Sequence, residues 1–594
     1  MNPCRLVLSS RPCLRTRALS TTLAQPKLVG VGDIQRVVQR GNDPTRIPVG
    51  YLQNVVPQET LQHLRWMLQK DSLQQDMFLI GPPSPQRRWL AMQFCELTEQ
   101  EIEFVQLTRD TTESDLKQRR EITGGDVLFV DQAPVRAAKE GRCLILDGVE
   151  KIERNVLPTI NNLLENREMH LDDGQFMLSH DRFDELVKNG ANVSNLVRVH
   201  PNFRVVALGL PVPPFPGSTL DPPLRSRFQA RTILPPSPGT QLEDLLTYVP
   251  DCPLPLAKKL VTFVEGLRLV SEGNGGGNTS GRGSVPPFPT HALRTVASIL
   301  TTCDQETDIV RALSRSYPLI HPSMPNEAVE ESVRSMLNSA IKTYAMGSSS
   351  YDNNSSKNLI PKKKRPYAIP DTTEAAEKIQ CEVAEDGLGT TLTMNIGNNV
   401  ILSSRGGKMT KNTNNTNKHV VTLSSHADIL LDMYQDHSIG CSDILLIGPK
   451  GSGKSVMARK FSEIIGHSSP ILFSLYKDMT ARDLLQRRTT DQQGNTIWEP
   501  SPVVEAAING DLVVLDGLDR LSPDTLSALQ RLIVDREVEL FDGTRLARHN
   551  ENENIHSKER VFKEEPSSSS MPTVPTMPTM PTMPTMPTFK VHPS

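Results

Sequence analysis

The spacing of hydrophobic positions changes at residue 448. Residues 443–448 (DILLIG) form a short apolar run that ends at a glycine, which predicts a buried parallel strand. Residues 455–466 (SVMARKFSEIIG) repeat their apolar positions with a helical period and also end at a glycine, which predicts a helix. The segment between them therefore connects a strand to a helix through a glycine-rich loop.

Elsewhere the pattern predicts helices, one hairpin and long polar segments. LEDLLTYV and HALRTVASILTTC, within residues 240–346, have helical spacing, and the glycine-rich run 273–284 interrupts this region. Residues 376–404 alternate around Gly-Asn, which predicts a β-hairpin. Residues 348–366 have the composition of a linker, and residues 571–588 repeat Met-Pro-Thr-like triplets that cannot build a core. No run of 18 apolar residues exists, so no transmembrane helix is expected.

The glycine-rich loop carries a phosphate-binding motif. GPKGSGKS fits the pattern G-x-x-x-x-G-K-[ST], in which glycines let backbone N–H groups point at phosphate oxygens. Lys454 would place its charge on the β- and γ-phosphates, Ser455 would place its hydroxyl on Mg²⁺, and the following helix would add its N-terminal partial charge. The predicted phosphate-binding residues are Gly448, Pro449, Lys450, Gly451, Ser452, Gly453, Lys454 and Ser455.

A second element of the same chemistry follows about sixty residues later. DLVVLDGLDR (511–520) is an apolar run that ends in Asp516. A carboxylate at the carboxyl end of a strand reaches Mg²⁺, usually through water. We therefore expect Ser455 and Asp516 on the metal side of the site.

Three segments recur at one spacing of 368 or 369 residues. They are 111–122 with 479–490, 134–152 with 503–521, and 163–174 with 532–543. Repetition at one spacing predicts a duplicated domain, since it is far longer than a solenoid period. We refer to residues 33–240 as module 1 and to residues 420–594 as module 2.

The loop of module 1 departs from the motif. GPPSPQRR (81–88) has Arg87 in place of the lysine and Arg88 in place of the serine, although Asp147 keeps the metal-side carboxylate. The two arginines would still attract phosphate, but a structural module with little turnover is the interpretation that the missing hydroxyl favours.

Composition excludes several classes of protein. The 594 residues give a prior of about four domain-sized units. A net charge of −3 argues against a nucleic-acid-binding protein, and 46 prolines indicate linker or low-complexity segments. The eight cysteines include no C-x-x-C pair, which argues against a zinc finger or a disulfide framework and suits a reducing compartment.

Two basic segments predict cellular locations. The first 32 residues contain several arginines and no acidic residue, as in a mitochondrial transit peptide, with cleavage near Leu19 and Ser20. A disordered basic tail is the alternative. The Lys362–Arg365 cluster in PKKKRP fits a nuclear localisation signal, which is the alternative location.

The motifs as a set resemble the MoxR/midasin/dynein-related branch of the AAA+ ATPases. The match rests on the Lys-Ser loop, the DLKQRRE and DLLQRR segments, WEPSPVVEA, the acidic strand and HPNFRVVALGLP, over about residues 50–240 and 420–545. The resemblance implies Mg²⁺ and ATP as cofactors, ring or homo-oligomer assembly, and energy-driven remodelling of a partner protein. It also implies that Arg227, in RSRF, is an arginine finger for a neighbouring γ-phosphate, with Arg225 as the other candidate.

Two departures from the family pattern bear on catalysis. The glutamate that orients the attacking water is Gly148 in module 1 and Gly517 in module 2, with Asp519 or Glu499 as candidate substitutes. The sensor asparagine is replaced by Leu210. The candidate catalytic residues are thus Asp516 and Arg227, and a nucleotide-gated scaffold that does not hydrolyse ATP is the alternative function.

The expected fold is α/β: two P-loop modules, each a parallel sheet flanked by helices, with a helical lid after the first, disordered linkers and a low-complexity tail. His592-Pro593 aligns with His200-Pro201, so the chain is expected to be a fragment or a truncated gene product, with a short isoform as the alternative. The expected segments are 1–32 transit peptide, 33–240 module 1, 241–346 lid, 347–375 linker, 376–419 small β segment, and 420–594 module 2 with a 546–590 insert.

Overall fold

The chain divides into two compact units. One comprises Met1–Gln118 and Ala133–Pro470, and the other comprises Arg119–Gln132 and Ile471–Ser594. The computed structural model describes residues 6–8, 27–38, 41, 43–273, 288–302, 309–317, 379–386, 389–396, 400–406, 424–548 and 588–591, except residues 53, 54, 154, 442, 466, 468 and 469.

Residues 6–232 fold into short strands and helices. The strands are β1 (Leu6–Leu8), β2 (Lys27–Val31), β3 (Ile34–Val38), β4 (Met77–Ile80), β5 (Ile102–Gln106), β6 (Gln118–Thr123), β7 (Asp126–Asp131), β8 (Cys143–Asp147), β9 (Met169–His170), β10 (Phe176–Leu178), β11 (Leu196–Arg198), β12 (Arg204–Gly209) and β13 (Gln229–Thr232). The α-helices are α1 (Gln58–Ser72), α2 (Gln86–Leu97), α3 (Glu113–Leu116), α4 (Ala133–Glu140), α5 (Asn161–Glu165), α6 (His180–Lys188) and α7 (Pro222–Arg227).

The centre of module 1 is a five-stranded parallel sheet in the order β13-β4-β12-β8-β5. Every residue of β8 and β12 is buried, as expected of parallel strands covered on both faces. Val205 and Ala207 join one hydrophobic core, whereas Val206 and Leu208 join the other. The sheet is therefore packed between two layers, which confirms the expected α/β fold.

Two strands lie across the expected boundary between the transit peptide and module 1. Strands β2 and β3 pair antiparallel across residue 33, where the boundary was expected. Val29 and Val31 are fully buried in the same core as Leu64 and Met67 of α1. Since burying such side chains stabilises the module, its fold includes residues that the sequence assigned to the leader.

In the part of the chain that the structure describes, four helices after the sheet pack as a bundle. They are α8 (Pro238–Tyr248), α9 (Leu254–Gly273), α10 (Ala292–Thr302) and α11 (Ile309–Ser316). Ser237 caps α8 by accepting a hydrogen bond from the N–H of Thr240. Phe263, Phe288 and Tyr317 pack in the buried core of this helical bundle. No helix among the described residues is both long enough and apolar enough to span a membrane.

Two further groups of elements precede the second unit. Strands β14 (Ile379–Asp386), β15 (Gly389–Ile396) and β16 (Val400–Gly406) form an antiparallel sheet, and β15 with β16 is the hairpin that the alternation predicts. Helices α12 (Ser424–Ser438) and α13 (Lys454–Ile464) flank the phosphate-binding loop. Residues 348–366 and 571–587, where the sequence predicts a linker and a low-complexity tail, lie outside the described residues.

The second unit contains the remaining elements. The strands are β17 (Ile471–Ser474), β18 (Gln486–Thr490), β19 (Thr496–Pro500), β20 (Val513–Asp516), β21 (Val538–Glu539), β22 (Arg545–Arg548) and β23 (Thr588–Val591). The α-helices are α14 (Ala481–Leu485), α15 (Pro502–Asn509), α16 (Pro523–Leu526) and α17 (Gln530–Val534). Strands β17 and β20 pair in parallel, and β18 with β19 forms an antiparallel hairpin.

The strand predicted over residues 443–448 is absent from the described part of the chain. These residues have no regular structure, and Leu445 and Ile447 are 62% and 43% exposed. In module 1 the corresponding strand β4 lies between β12 and β13, which satisfy its backbone groups. The described residues of module 2 include no equivalent of these two neighbours, so the apolar run has no ladder to join.

Candidate functional site

The loop of module 2 adopts a conformation that requires glycine at two positions. Gly451 and Gly453 have φ of 84° and 83°, in the left-handed region that favours glycine. Gly448 also approaches Ser452 closely, because a Cβ on Gly448 would lie 3.0 Å from the Ser452 Oγ. Helix α13 begins directly after Gly453, so the loop delivers the chain into a helix N-terminus.

Lys454 curls its side chain back over this loop. Its Nζ donates to the carbonyl oxygens of Gly448 at 2.8 Å and Pro449 at 3.0 Å. The ammonium group therefore lies within the curve of the loop. Pro449, Lys450 and Ser455 are exposed. The predicted phosphate-binding residues thus present one fixed cation, an accessible hydroxyl and a helix of eleven residues at one place.

The predicted metal-side carboxylate belongs to the second unit. Asp516 is the last residue of β20 and is exposed, and its backbone oxygen accepts a hydrogen bond of 2.8 Å from the N–H of Leu475. Asp519 is also exposed, in the turn Leu518–Arg520. Glu499 is exposed too and lies opposite Arg487 in the hairpin of β18 and β19. The strand end thus carries two solvent-accessible carboxylates, Asp516 and Asp519, three residues apart.

The glycine that replaces the expected glutamate has a conformational role. Gly517 has φ of 92°, and Gly148 of module 1 has φ of 89°. A side chain larger than glycine is strained in this region, so a glutamate at either position would require a different backbone. Sequence reasoning identified the substitution but not this backbone constraint.

Module 1 fills its own loop with an arginine. Arg87 is buried, and its Nη1 donates to the carbonyl oxygen of Gly81 at 2.6 Å and also to that of Gly209. Gly81 directly follows β4, and Gly209 is the last residue of β12. Burial lowers the pKa of the Arg87 guanidinium, and the Asp147 and Glu150 carboxylates oppose this shift. The guanidinium thus lies between two strand ends.

The second arginine of that loop is also internal. Arg88 is 3% exposed, and its Nη1 lies 3.9 Å from the Asp147 Oδ2. Glu150, which sequence reasoning missed, is buried nearby and accepts a hydrogen bond of 3.1 Å from the N–H of Leu210. Burial raises the pKa of Glu150, against the effect of these donors and of Arg87. The charges of two guanidinium groups and two carboxylates therefore balance each other inside module 1.

The candidate arginine fingers are held within module 1. Arg227 ends α7 and contacts the Glu165 carboxylate and the Pro223 carbonyl oxygen. Arg225 donates to the carbonyl oxygen of Leu220 at 3.3 Å. Both guanidinium groups are therefore engaged locally.

The side-chain hydrogen bonds at matching positions of the two modules are the same. Gln118 exchanges two hydrogen bonds with Asp173, each of 3.1 Å, through its side-chain amide. Gln486 exchanges the same two bonds with Asp542, at 2.9 and 3.1 Å. These clamps join a short helix–hairpin junction to a distant turn in each module. The signal in the sequence was the spacing of the matching segments.

Another contact that sequence reasoning missed lies on helix α12. A Cβ on Gly453 would lie 3.2 Å from the Cε1 atom of His426, so the imidazole lies against the phosphate-binding loop. No pattern in the sequence distinguishes His426 from other histidines. The contact depends on how helix α12 lies beside α13.

Comparisons with known proteins identify a family for the chain. The family model of the AAA domain (dynein-related subfamily) matches residues 76–228 and 443–577. The chain is 40% identical to von Willebrand factor A domain-containing protein 8 of Mus musculus over 551 residues. That match covers 91% of this chain but 27% of the mouse protein, so the chain spans about a quarter of the length of this relative. The chain therefore belongs to the dynein-related AAA family and carries two segments of that domain.

Proposed function

We propose that residues 448–455 bind the phosphates of Mg²⁺-ATP, and that module 2 hydrolyses ATP to remodel a partner protein. The observation that carries this proposal is the position of Lys454, whose Nζ lies 2.8 Å from the Gly448 oxygen inside a left-handed glycine loop. A phosphate chain would replace these carbonyl contacts with stronger, charge-assisted ones.

Two side chains would supply oxygen ligands to the metal in this proposal. Ser455 is exposed at the start of α13, and Asp516 is exposed at the end of β20, so each side chain has a free face for a ligand. Hydroxyl and carboxylate oxygens suit Mg²⁺, which would neutralise phosphate charge at this site.

Module 1 has a different role in this proposal. Its loop is closed by Arg87, which already donates to the strand-end carbonyl oxygens of Gly81 and Gly209. Because Arg88 and Asp147 are also buried beside it, no open cation remains for a phosphate. We infer that module 1 is a structural copy of module 2 and does not turn over ATP. The matching side-chain clamps support a duplicated unit.

The alternative is a nucleotide-gated scaffold that binds ATP without hydrolysis. The left-handed backbone at Gly517 favours this scaffold, since no glutamate occupies the usual position.

If module 2 hydrolyses ATP, Asp519 is the candidate that would orient the attacking water, because it is exposed near the end of β20. We also propose that the chain assembles through its AAA modules, with Arg227 released from Glu165 to act as an arginine finger. The proposed location is mitochondrial.

Binding of Mg²⁺-ATP by the full chain tests the proposal. Lys454→Ala removes the cation from the loop of module 2, and we expect a loss of affinity of at least about a hundredfold, as for a charged group removed from its ligand. The matched control is Arg87→Ala in module 1, which should leave affinity unchanged. Equal losses in the two variants, measured by titration calorimetry, would refute the assignment.

The hydrolytic step has its own test. Phosphate release from a single turnover separates an ATPase from a scaffold, because a scaffold retains intact ATP. We expect release from the wild-type chain, and none from Lys454→Ala. Bound ATP that stays intact in the wild type would favour the scaffold instead.

A further inference from the structure

Helix α12 lies between the helical bundle and the phosphate-binding loop. It precedes the loop in the chain, and all the residues concerned lie in the first compact unit. Its C-terminal half bears Asp432, Gln435 and Asp436 toward the bundle. Both ends of the helix also contact the loop or the helix that follows the loop.

The polar contact with the bundle is centred on Arg315. Arg315 of helix α11 donates through Nη1 to the carbonyl oxygen of Asp432 at 3.1 Å and to the Asp436 Oδ1 at 3.3 Å. Its Nη2 donates to the Gln435 Oε1 at 2.8 Å. The Arg315 side chain is 12% exposed, so these bonds form largely away from water. Ile439, just beyond the helix, packs against the core of the bundle.

The contacts with the phosphate-binding segment involve two histidines. The His437 ring meets the Phe461 ring edge-on, with 5.9 Å between centroids, and Phe461 is a buried residue of helix α13. At the other end of α12, the His426 imidazole lies against Gly453, where a Cβ would be 3.2 Å away. Helix α12 is thus fixed to the bundle by Arg315 and touches the loop at its last glycine.

We propose that Arg315 is a positioning residue for the nucleotide site of module 2, acting through helix α12 and His426. This inference rests on the proposed function of residues 448–455. A helix is stiff, and close-packed side chains transmit small shifts, so losing the Arg315 contacts would let α12 move relative to Gly453. The bundle that follows module 1 would then help to hold the phosphate-binding loop in shape.

Two substitutions test the connection in the full chain. Arg315→Ala should weaken Mg²⁺-ATP binding about fivefold or more, the usual range for coupling between distant groups. Arg315→Lys keeps the charge but not the fork of donors, and it should recover part of the affinity. The matched control is Arg268→Ala, because Arg268 lies on the same bundle and pairs with Glu265 of its own helix at 2.9 Å.

A double-mutant cycle distinguishes positioning from general loss of structure. If Arg315 acts through His426, the combination of Arg315→Ala with His426→Ala should weaken binding less than the product of the two single effects. Circular dichroism and the melting temperature check that each variant folds. Multiplicative effects, or an unchanged affinity in a folded Arg315→Ala, would overturn the proposal.

Lys454→Ala separates this result from a failure of the proposed function. If the wild type binds Mg²⁺-ATP and Lys454→Ala does not, the site is where we place it, and the Arg315 variants then decide the role of α12. If the wild type does not bind, both the site assignment and the positioning role are overturned.

Discussion

Arg119 lies at the centre of a cluster of polar and aromatic side chains in the second unit. Its guanidinium lies 4.4 Å from the centroid of the Trp498 ring, and it donates to the carbonyl oxygen of Phe541. Its Nε lies 3.2 Å from the Glu121 Oε1, which also accepts a 3.0 Å hydrogen bond from the Trp498 indole. Replacing Arg119 therefore breaks three contacts of one cluster.

The size of the effect follows from these contacts. The Arg119 side chain is 6% exposed, so its cation–π contact contributes about 2 kcal/mol. A hydrogen bond from a charged donor contributes about 1.5–3 kcal/mol. These contributions do not simply add, because the contacts belong to one cluster. We therefore expect Arg119→Ala to lower the free energy of unfolding of the second unit by about 3 kcal/mol. At the usual slope for urea, the midpoint then falls by about 1–3 M.

Tryptophan fluorescence measures this unfolding directly. The chain has three tryptophans, and Trp498 is the one in the second unit. In a Trp66→Phe, Trp89→Phe background it becomes the sole reporter. The matched control is Arg120→Ala, which keeps the Arg120 backbone oxygen that accepts a 2.8 Å hydrogen bond from Arg488. The Arg120 guanidinium lies 5.4 Å from the centroid of the Phe129 ring instead of contacting Trp498.

The control should shift the midpoint by less than about a third of the Arg119 effect, since it keeps the backbone contact. A further check combines Arg119→Ala with Glu121→Gln, which should be non-additive because Glu121 contacts both partners. Equal shifts for Arg119→Ala and Arg120→Ala would refute the reasoning, because the guanidinium cluster would then contribute nothing specific.

Two further predictions concern the metal and a half-buried histidine. Asp516→Asn should weaken Mg²⁺-ATP about tenfold more than ATP in EDTA, because the carboxylate acts through the metal; equal losses in titration calorimetry would show a structural role only. Burial and the neighbouring Arg231 lower the pKa of His63 from 6.5 to about 4. The unfolded chain then binds more protons between pH 6.5 and 4, so stability should fall as the pH falls through this window and His63→Gln should remove that dependence. The shift corresponds to about 3 kcal/mol, and partial exposure of the ring lowers this to about 1–2 kcal/mol; denaturation curves at pH 7 and 4.5 check it.

The central strands of the module 1 sheet were predictable because they are buried on both faces. The segments CLILD and FRVVALG are apolar over most of their length, and the structure places them side by side as β8 and β12. The sequence predicts neither the strand order nor the distant partners of a strand. The run over residues 443–448 shows the limit, because an apolar pattern forms a strand only where neighbours supply hydrogen bonds.

The site was predictable in residue type and only partly in geometry. The motif predicts the loop, and the structure gives it the left-handed glycines at Gly451 and Gly453 that such a loop needs. The corresponding segment of module 1 gave no sign that the Arg87 guanidinium turns inward to the Gly81 and Gly209 carbonyl oxygens. The direction of the side chain depends on which carbonyl oxygens lie within its reach, and this is decided by the packing of strands far apart in the chain.

The two modules separate the stability of the framework from the chemistry of the loop. Gln118 and Gln486 make the same pairs of hydrogen bonds to Asp173 and Asp542, although the phosphate-binding loops differ in charge and in glycine content. The clamps bind a helix–hairpin junction to a turn and do not involve the loop. A module therefore keeps these clamps whether its loop cation turns toward the strand ends or lies within the curve of an open loop. On the proposal that module 1 does not turn over ATP, a change in its loop would leave these clamps intact, because their hydrogen bonds do not involve the loop.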